Sequence, residues 1–486
     1  MSKLFQFILI ISTIASVVLN VVFLFSQSIR LDEAQSIWVS TKSIPSIMKI
    51  NGQDVQVPLY TLILHIWMQL FGTDIITARL LSFLFFLITI PNLYKLIKLV
   101  SNPHTATLGV ILYLLSPFLV WYSQEARTYS LLTLITTINH LKFLEFIRSE
   151  GKSAKFKYFL SSLVGIYTHY FFIFILFSQA VYILIKLLNH KIDRKLFVKY
   201  ILNTALVGLF FLPWAIYVYS LGLAANTQPL IPPPTSFNLI QVYLNFLVGF
   251  QTQFVQSLAI SLWPLLIMIL LFVFSRKLKI TLESVDYFVI TSFLPVILVY
   301  IISFYKPIFL PRYLIIVVPS LFTLIAWILV NFGRRVLSGV TGTLLLLMLV
   351  SLNYQNNSNL TPVKEDFKQT VEYLESNATS RDLVAVSAPF TVYPIEYYYR
   401  GLARIDTIPH WDRYQADASI PRFSPSSLEQ QILSYTTVYN RLFTVLSYDQ
   451  GYQTEIVDYL DNHYQLLDSK NYPSNILVRV YKLRYD

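Results

Sequence analysis

The chain has 486 residues, of which 55% are hydrophobic and only 13% are charged, whereas a soluble protein carries about 25% charged residues. Apolar runs of about 20 residues, each long enough to cross a bilayer, recur through residues 1–353. This composition excludes an ordinary soluble globular protein and indicates a polytopic membrane protein. The chain contains no cysteine, which excludes disulfides and thiolate chemistry.

The net charge of +11 is divided unevenly along the chain. Residues 355–486 hold 12 Lys+Arg and 16 Asp+Glu, so the preceding residues carry a net charge of +15. Most of this excess lies in short loops between apolar runs, which is the positive-inside bias of membrane proteins rather than a nucleic-acid-binding face. Counted loop by loop, the bias predicts a cytoplasmic N-terminus and an extracytoplasmic C-terminal region.

The chain begins with an apolar run at residues 4–26, which we predict to be the first span. It ends shortly before two adjacent carboxylates, Asp32 and Glu33. Residues 34–50 and 58–71 are too interrupted by polar groups to cross the bilayer. We predict that they form amphipathic helices at the membrane interface, within the first extracytoplasmic loop.

Later apolar runs bring the predicted total to about eleven spans. They are residues 75–97, residues 104–121, a span that starts at Tyr122, two short helices within residues 158–188, and residues 196–219, 255–274, 285–304, 313–331 and 336–352. As one helix, residues 158–188 would be roughly 46 Å long, more than the ~30 Å hydrocarbon core requires. We divide this run at His169; a single tilted helix is the alternative, but it would spread the basic loops over both sides.

The fold class that these elements predict is a polytopic α-helical membrane protein with a C-terminal soluble α/β domain. The predicted division places the membrane domain at residues 1–353 and an extracytoplasmic domain at residues 354–486. In the second domain, the apolar segments 383–387, 444–447 and 476–481 are predicted strands, and helical segments lie between them.

Charged side chains at an apolar boundary are costly, so each one is a candidate for function. Asp32 and Glu33 come first: one of them suits a general base toward an acceptor hydroxyl, and the other suits orienting that group or holding a metal. The alternative is an acidic pair at a helix end, solvated by headgroups and water.

The segment Tyr122–Arg127 supplies a second pair of charges, Glu125 and Arg127. Two residues apart on a predicted helix, they face different directions and need not pair with each other. Arg127 suits a phosphate and Glu125 a sugar hydroxyl; the alternative is a structural ion pair with one of the first-loop acids. His169 suits substrate or phosphate, or else a simple hydrogen bond within the bundle.

A proline-bounded loop before the tenth span carries Lys306 and Arg312. Both cations suit a lipid phosphate at headgroup depth, and snorkelling to the interface is the alternative. Tyr313, next to Arg312, and Tyr60, in the first loop, complete the predicted binding residues.

Several of these motifs together resemble the glycosyltransferase family 39-like membrane proteins, which are relatives of protein O-mannosyltransferases and of the lipid A aminoarabinose transferase. The resemblance covers about residues 1–350. The motifs that carry it are Arg30-Leu31-Asp32-Glu33-Ala34, Pro58-Leu59-Tyr60 with Phe71-Gly72, Tyr122-Ser123-Gln124-Glu125-Ala126-Arg127-Thr128-Tyr129, Thr168-His169-Tyr170 and Pro311-Arg312-Tyr313.

The resemblance implies a GT-C fold, a polyprenyl-phosphate-linked sugar donor and an inverting transfer on the extracytoplasmic side. It implies that Asp32 is the catalytic carboxylate, with Glu33 beside it, and that Arg127 and Arg312 contact the donor phosphate. It requires no metal, although Glu33 and Glu125 leave room for a divalent cation. The acceptor stays open among lipids, glycans and proteins.

Two other functions are weighed against a glycosyltransferase. A lipid-linked saccharide transporter or flippase would need a polar path with charges in mid-span, and the sequence has almost none. A non-catalytic envelope assembly protein would depend on residues 355–486 and not on Asp32, Arg127 or Arg312. The missing cysteines and compact loops favour a bacterial inner membrane.

Overall fold

A computed structural model describes most of the chain. The described residues are 27–54, 56–149, 151–221, 231–251, 285–331, 334–358, 364–413 and 420–484, together with residues 11, 14 and 18. Within them the chain forms two compact units. The first contains Ile44–Leu221 and Ile231–Thr361, and the second contains Ser26–Ser43 and Pro362–Asp486. The predicted first and eighth spans lie largely or wholly outside the described residues.

The first unit is helical. Its helices are α2 (Ile44–Gln53), α3 (Leu59–Phe71), α4 (Ile75–Val100), α5 (Pro103–Leu115), α6 (Pro117–Ser123), α7 (Tyr129–Arg148), α8 (Lys152–Thr168), α9 (Phe172–Leu188), α10 (Arg194–Ser220), α11 (Ser236–Val248), α12 (Val285–Ser303), α13 (Val318–Asn331) and α14 (Arg334–Asn357). A 3-10 turn, Tyr313–Val317, leads directly into α13. Four helical stretches in the described part of the chain are long and apolar enough to cross a membrane. They are Ile75–Val100, Arg194–Ser220, Val285–Ser303 and Tyr313–Asn331.

The predicted third span, residues 104–121, is not one straight helix. It consists of α5 and α6, which meet at an angle of 63°. Ser116 lies at the corner in an extended conformation, and its hydroxyl accepts a hydrogen bond from the Leu119 N–H at 3.3 Å. Pro117 follows as the first residue of α6, where its missing N–H costs nothing. Together, a capping serine and a proline bend the chain here.

A polar network, which we call the internal network, lies inside the first unit and joins five helices. Its members are fully buried: Asn139 and His140 on α7, Tyr158 on α8, Gln179 on α9, Tyr287 on α12 and Ser320 on α13. His140 Nδ1 lies 2.5 Å from the Tyr287 hydroxyl, and its Nε2 lies 3.0 Å from Ser320 Oγ. Gln179 donates to both Asn139 and Tyr287 and accepts from the Tyr158 hydroxyl. Such bonds hold helices together where lipid provides no hydrophobic drive.

The second unit contains α1 (Leu31–Ser40) and a five-stranded sheet with helices on both faces. The strands are β1 (Asp382–Ser387), β2 (Arg404–Thr407), β3 (Arg441–Leu446), β4 (Gln465–Tyr472) and β5 (Ile476–Lys482). Their order is β2-β1-β3-β5-β4, with β2, β1 and β3 parallel and the β4–β5 hairpin antiparallel. The further helices are α15 (Phe367–Asn377), α16 (Val392–Tyr398), α17 (Pro425–Thr436) and α18 (Gln453–His463). The predicted C-terminal α/β fold is therefore confirmed.

Alternate residues of β1 build two separate apolar cores, one on each face of the sheet. Val384 and Val386 pack in the core that includes residues of α15 and α16. Leu383 and Ala385 pack in the core that includes residues of α17 and α18. All four are at most 1% exposed, as expected for a central strand covered on both faces.

Contacts at both ends attach α1 to this second unit. Before its first residue, the Ile29 N–H donates to the Tyr398 hydroxyl at 2.8 Å. Near its C-terminal end, the Trp38 ring lies 5.1 Å from that of Tyr393. The Arg413 guanidinium stacks over both rings, at 5.7 and 5.5 Å. The first turn of α1, which carries Asp32, is thus held by packing on the α/β domain.

Candidate active site

Three interruptions of helical structure place polar side chains inside the first unit. Residues 124–128 separate α6 from α7 and carry Arg127. Residues 169–171 separate α8 from α9, and His169 is extended there, at φ −162° and ψ 137°. The third interruption, residues 304–312, ends at Arg312 before the 3-10 turn. Non-helical backbone in a membrane bundle is tolerated where protein or a polar cavity surrounds it, which is where such proteins bind ligands.

The three interruptions meet. The Thr128 hydroxyl donates to the backbone carbonyl of Thr168 at 3.0 Å and so joins the first interruption to the second. The imidazole of His169 lies 5.2 Å from the ring of Tyr313, which joins the second to the third. We call Arg127, His169, Arg312 and Tyr313 the cationic cluster.

Two positive charges act on one histidine in the cationic cluster. The guanidinium groups of Arg127 and Arg312 both interact electrostatically with His169, and the Arg312 guanidinium lies 5.6 Å from the Tyr313 ring centre. His169 Nδ1 accepts the Phe171 N–H at 3.1 Å, which places the proton of a neutral ring on Nε2. All four residues are half-buried. The cluster therefore offers hydrogen-bond donors and positive charge, which suit an anion such as a phosphate ester.

Tyr60 is linked to this cluster through Ser82. It is buried, and its hydroxyl lies 2.8 Å from Ser82 Oγ, which in turn donates to the Arg127 carbonyl at 3.3 Å. Glu125 is also buried, and its carbonyl accepts the Arg127 N–H at 2.7 Å. The expectation that Glu125 and Arg127 share a helix was wrong, because residues 124–128 are not helical.

Lys306 lies on the turn after α12 and is exposed. Its backbone N–H bonds to the Ile302 carbonyl at 2.9 Å, as in a last helical turn. This position leaves the ammonium group in contact with the surroundings, whereas Arg312, later in the same loop, belongs to the cationic cluster.

The acids of the second unit lie at the start of α1. Arg30 is extended, at φ −90° and ψ 156°, and Leu31 begins the helix. Asp32 and Glu33 therefore occupy its first turn, where the helix dipole favours negative charge. Glu33 is fully buried, and its carboxylate accepts the Arg30 N–H at 3.1 Å. Asp32 is half-buried. The two adjacent acids thus differ: Glu33 closes the helix end, and Asp32 is the more accessible carboxylate.

A third acid belongs to the same group and was not predicted as a site residue. The Glu365 carboxylate accepts the Leu31 N–H at 2.8 Å and a hydrogen bond from the Tyr448 hydroxyl. Burial raises the pKa of Glu365 to about 7, the two hydrogen bonds oppose that rise, and the charge of Asp32 adds to it. We call Asp32, Glu33 and Glu365 the acidic cluster. Among the residues that the structure describes, no three His, Asp or Glu side chains form a metal-binding group.

Comparisons with known proteins agree with this architecture. Residues 55–217 match the model of the dolichyl-phosphate-mannose-protein mannosyltransferase family. No curated protein matches the chain in sequence.

The fold is similar to that of solved membrane glycosyltransferases. ArnT from Cupriavidus metallidurans in the apo state is 12% identical, with a TM-score of 0.60 and 97% of each chain covered. The same protein bound to undecaprenyl phosphate gives a TM-score of 0.59 at 11% identity, again with 97% of each chain covered.

The oligosaccharyltransferase of Archaeoglobus fulgidus in the apo form is 11% identical, with a TM-score of 0.51. This match covers 91% of the present chain and 70% of the archaeal one. These likenesses show the GT-C fold, and the apolar helices agree with an integral membrane protein. The chain therefore has the fold of these membrane glycosyltransferases, and residues 55–217 within it match the mannosyltransferase family model.

Proposed function

We propose that this chain transfers a sugar from a polyprenyl-phosphate-linked donor to an acceptor hydroxyl, with inversion at the anomeric carbon. The observation that carries the proposal is the cationic cluster, in which two arginines and a histidine meet at three helix interruptions. A guanidinium group can bind a phosphate through two parallel hydrogen bonds. The likeness to ArnT, which was solved with undecaprenyl phosphate bound, supports a lipid-phosphate donor.

In this proposal the carboxylate of Asp32 is the catalytic base. As the acceptor oxygen forms its bond to the anomeric carbon, Asp32 takes the proton of that hydroxyl. The bond between the anomeric carbon and the phosphate oxygen breaks, and its electron pair leaves with the lipid phosphate. Arg127 and Arg312 stabilise the negative charge on this leaving group. His169 donates a hydrogen bond through Nε2. The step uses side chains of this chain alone and requires no metal.

The remaining predicted residues take supporting roles. Tyr60, through Ser82, holds the backbone that carries Arg127, and Glu33 holds the first turn of α1. Glu125 is proposed to contact a sugar hydroxyl. Lys306, which is exposed, is proposed to bind a lipid headgroup phosphate.

The proposed setting is the inner membrane of a bacterium. The positive-inside bias supports about eleven spans, a cytoplasmic N-terminus and an extracytoplasmic domain from residue 354 onward. The reaction would then take place on the extracytoplasmic side, and its acceptor would be a lipid, a glycan or a protein of the cell envelope.

The decisive experiment measures sugar release or transfer from a radiolabelled polyprenyl-phosphate hexose by the purified chain, with wild type beside Asp32→Asn. The asparagine has the size of the aspartate but cannot accept the proton, so turnover should fall to background while donor binding persists. Glu372→Gln is the matched control, because Glu372 is an exposed acid on α15.

Each of two results would overturn a different part of the proposal. Turnover retained by Asp32→Asn would remove Asp32 as the base. Failure of the wild-type chain to bind any polyprenyl-phosphate sugar would remove the donor class. Donor binding by wild type without turnover, even with lipid, glycan and peptide acceptors supplied, would favour a transporter.

A further inference from the structure

The first turn of α1 depends on a side chain that lies 334 residues away. The N–H of Leu31, the first residue of the helix, has no partner within the helix, as is general for the first turn. Glu365 Oε2 accepts this N–H at 2.8 Å. A side chain far along the sequence thus caps the N-terminus of this helix. The N–H that it accepts belongs to Leu31, the residue before Asp32.

The second oxygen of Glu365 fixes the carboxylate in place. Oε1 accepts a hydrogen bond from the Tyr448 hydroxyl, and the Tyr448 ring packs edge-on against that of Phe390 at 6.1 Å. The charged groups that act on Glu365 are Asp32, whose negative charge opposes its ionisation, and Arg30, whose positive charge favours it. The neighbouring charges along its own segment are Lys364 and Asp366.

We propose that Glu365 is a positioning residue for Asp32: its carboxylate holds the first turn of α1 and places a second negative charge near the catalytic base. This inference rests on the proposed role of Asp32 as that base. Glu365 itself takes no proton from the acceptor. It acts through the orientation of the helix turn and through its charge.

The charge of Glu365 is expected to change near neutral pH. Burial raises its pKa to about 7. Above that pH Glu365 is ionised, and repulsion between like charges makes Asp32 a stronger base. Below it Glu365 is neutral, and Asp32 is a weaker base. The two acids titrate as a coupled pair, so the pKa of each one should depend on the charge of the other.

The coupling can be measured without turnover. Infrared difference spectra of the full chain in detergent, recorded between pH 5 and pH 9, follow the carboxylic C=O band, and the difference between wild type and Glu365→Gln isolates Glu365. Its midpoint should lie near pH 7 in wild type. In Asp32→Asn it should fall, because the opposing charge is gone. In Tyr448→Phe it should rise, because a hydrogen bond to the carboxylate is lost. A midpoint that Asp32→Asn does not move would overturn the proposal.

The pH profile of sugar transfer then tests whether the charge of Glu365 changes the rate at which Asp32 acts as a base. Wild type should show a rise of about threefold in rate through pH 7 as Asp32 becomes more basic. Glu365→Gln keeps an acceptor for the Leu31 N–H but carries no charge, so its rate should stay flat near the lower wild-type level. Glu372→Gln should keep the wild-type profile.

The outcomes separate the two proposals. A neutral-pH rise retained by Glu365→Gln would overturn the role of Glu365 alone. Activity retained by Asp32→Asn, with the infrared coupling present, would overturn the role of Asp32 as base and leave only a structural acid pair.

Discussion

Two histidines of the helical unit show how differently the chain uses one residue type. His140 lies within the continuous helix α7, is fully buried, and has both ring nitrogens within hydrogen-bond distance of hydroxyls. His169 lies where the chain leaves α8, is half-buried, and uses only Nδ1 in a hydrogen bond to the described part of the chain. Both occur in apolar runs, and their environments separate them.

The difference teaches how to sort polar residues in a membrane bundle. In the internal network, each hydroxyl, amide and imidazole meets another neutral group, so no hydrogen-bonding capacity is directed at a ligand. In the cationic cluster, by contrast, the guanidinium groups of Arg127 and Arg312 both act electrostatically on the imidazole of His169. Positive charges that are held near one another favour the binding of an anion.

The largest effect on transfer within this comparison is expected at Arg312. Arg312→Ala should lower kcat/KM by on the order of 100-fold, because a charged hydrogen-bond donor to the leaving phosphate is lost. Arg312→Lys should recover only part of the loss, since an ammonium group cannot form the parallel pair of bonds. The measurement is steady-state transfer at several donor concentrations.

Lys306→Ala provides the matched control for Arg312. It removes a cation from the same loop, but Lys306 is exposed, so kcat/KM should change by less than about threefold. Equal losses at the two positions would show that the loop attracts the donor by its overall charge rather than by the cationic cluster.

A smaller effect is expected at His169. His169→Asn keeps an acceptor near the position of Nδ1 for the Phe171 N–H but removes Nε2. His169→Gln can place a donor nearer to Nε2. If the Nε2 proton reaches the donor phosphate, His169→Asn should lose about tenfold in kcat/KM, and His169→Gln should lose less.

The melting temperature separates ligand binding from structure at this position. It should be nearly unchanged in both His169 variants, since the ring makes a single local hydrogen bond. An unchanged rate combined with a lower melting temperature would place His169 with the structural polar groups such as His140.

The sequence predicted the features that a local pattern reveals. The break at His169 followed from the positive-inside bias and from the length of the run 158–188, and the structure has α8 and α9 on either side of it. The buried strands β1, β3 and β5 were visible as apolar segments. The strand β4 was missed because most of its residues are exposed, and β2 because it has only four residues.

Features that depend on contacts through space were not predictable in this way. Glu365 meets Leu31 across 334 residues, and in the sequence it looks like one of several acids at a helix start. The internal network was invisible for a different reason. Its members are neutral, so a search of the spans for charges passes over them, and only the fold shows that Gln179 and Tyr287 meet. The non-helical link at residues 124–128 was missed because nothing in its composition marks it as a break.

The smallest effect on transfer, and the clearest effect on stability, is expected at His140. His140→Ala leaves the hydroxyls of Tyr287 and Ser320 without their imidazole partner inside the bundle. The cost should be about 1–3 kcal/mol in the free energy of unfolding, seen as a lower melting temperature in detergent. At a temperature well below that transition, kcat/KM should stay within about threefold of wild type, because the internal network directs no group at the donor.

His104→Ala is the matched control, since His104 is exposed, and it should change neither quantity. His140→Ala could instead abolish transfer while its melting temperature stayed normal. The internal network would then belong to the catalytic machinery. In that case, the number of ring nitrogens that are hydrogen-bonded within the protein would not distinguish structural from functional histidines in this bundle.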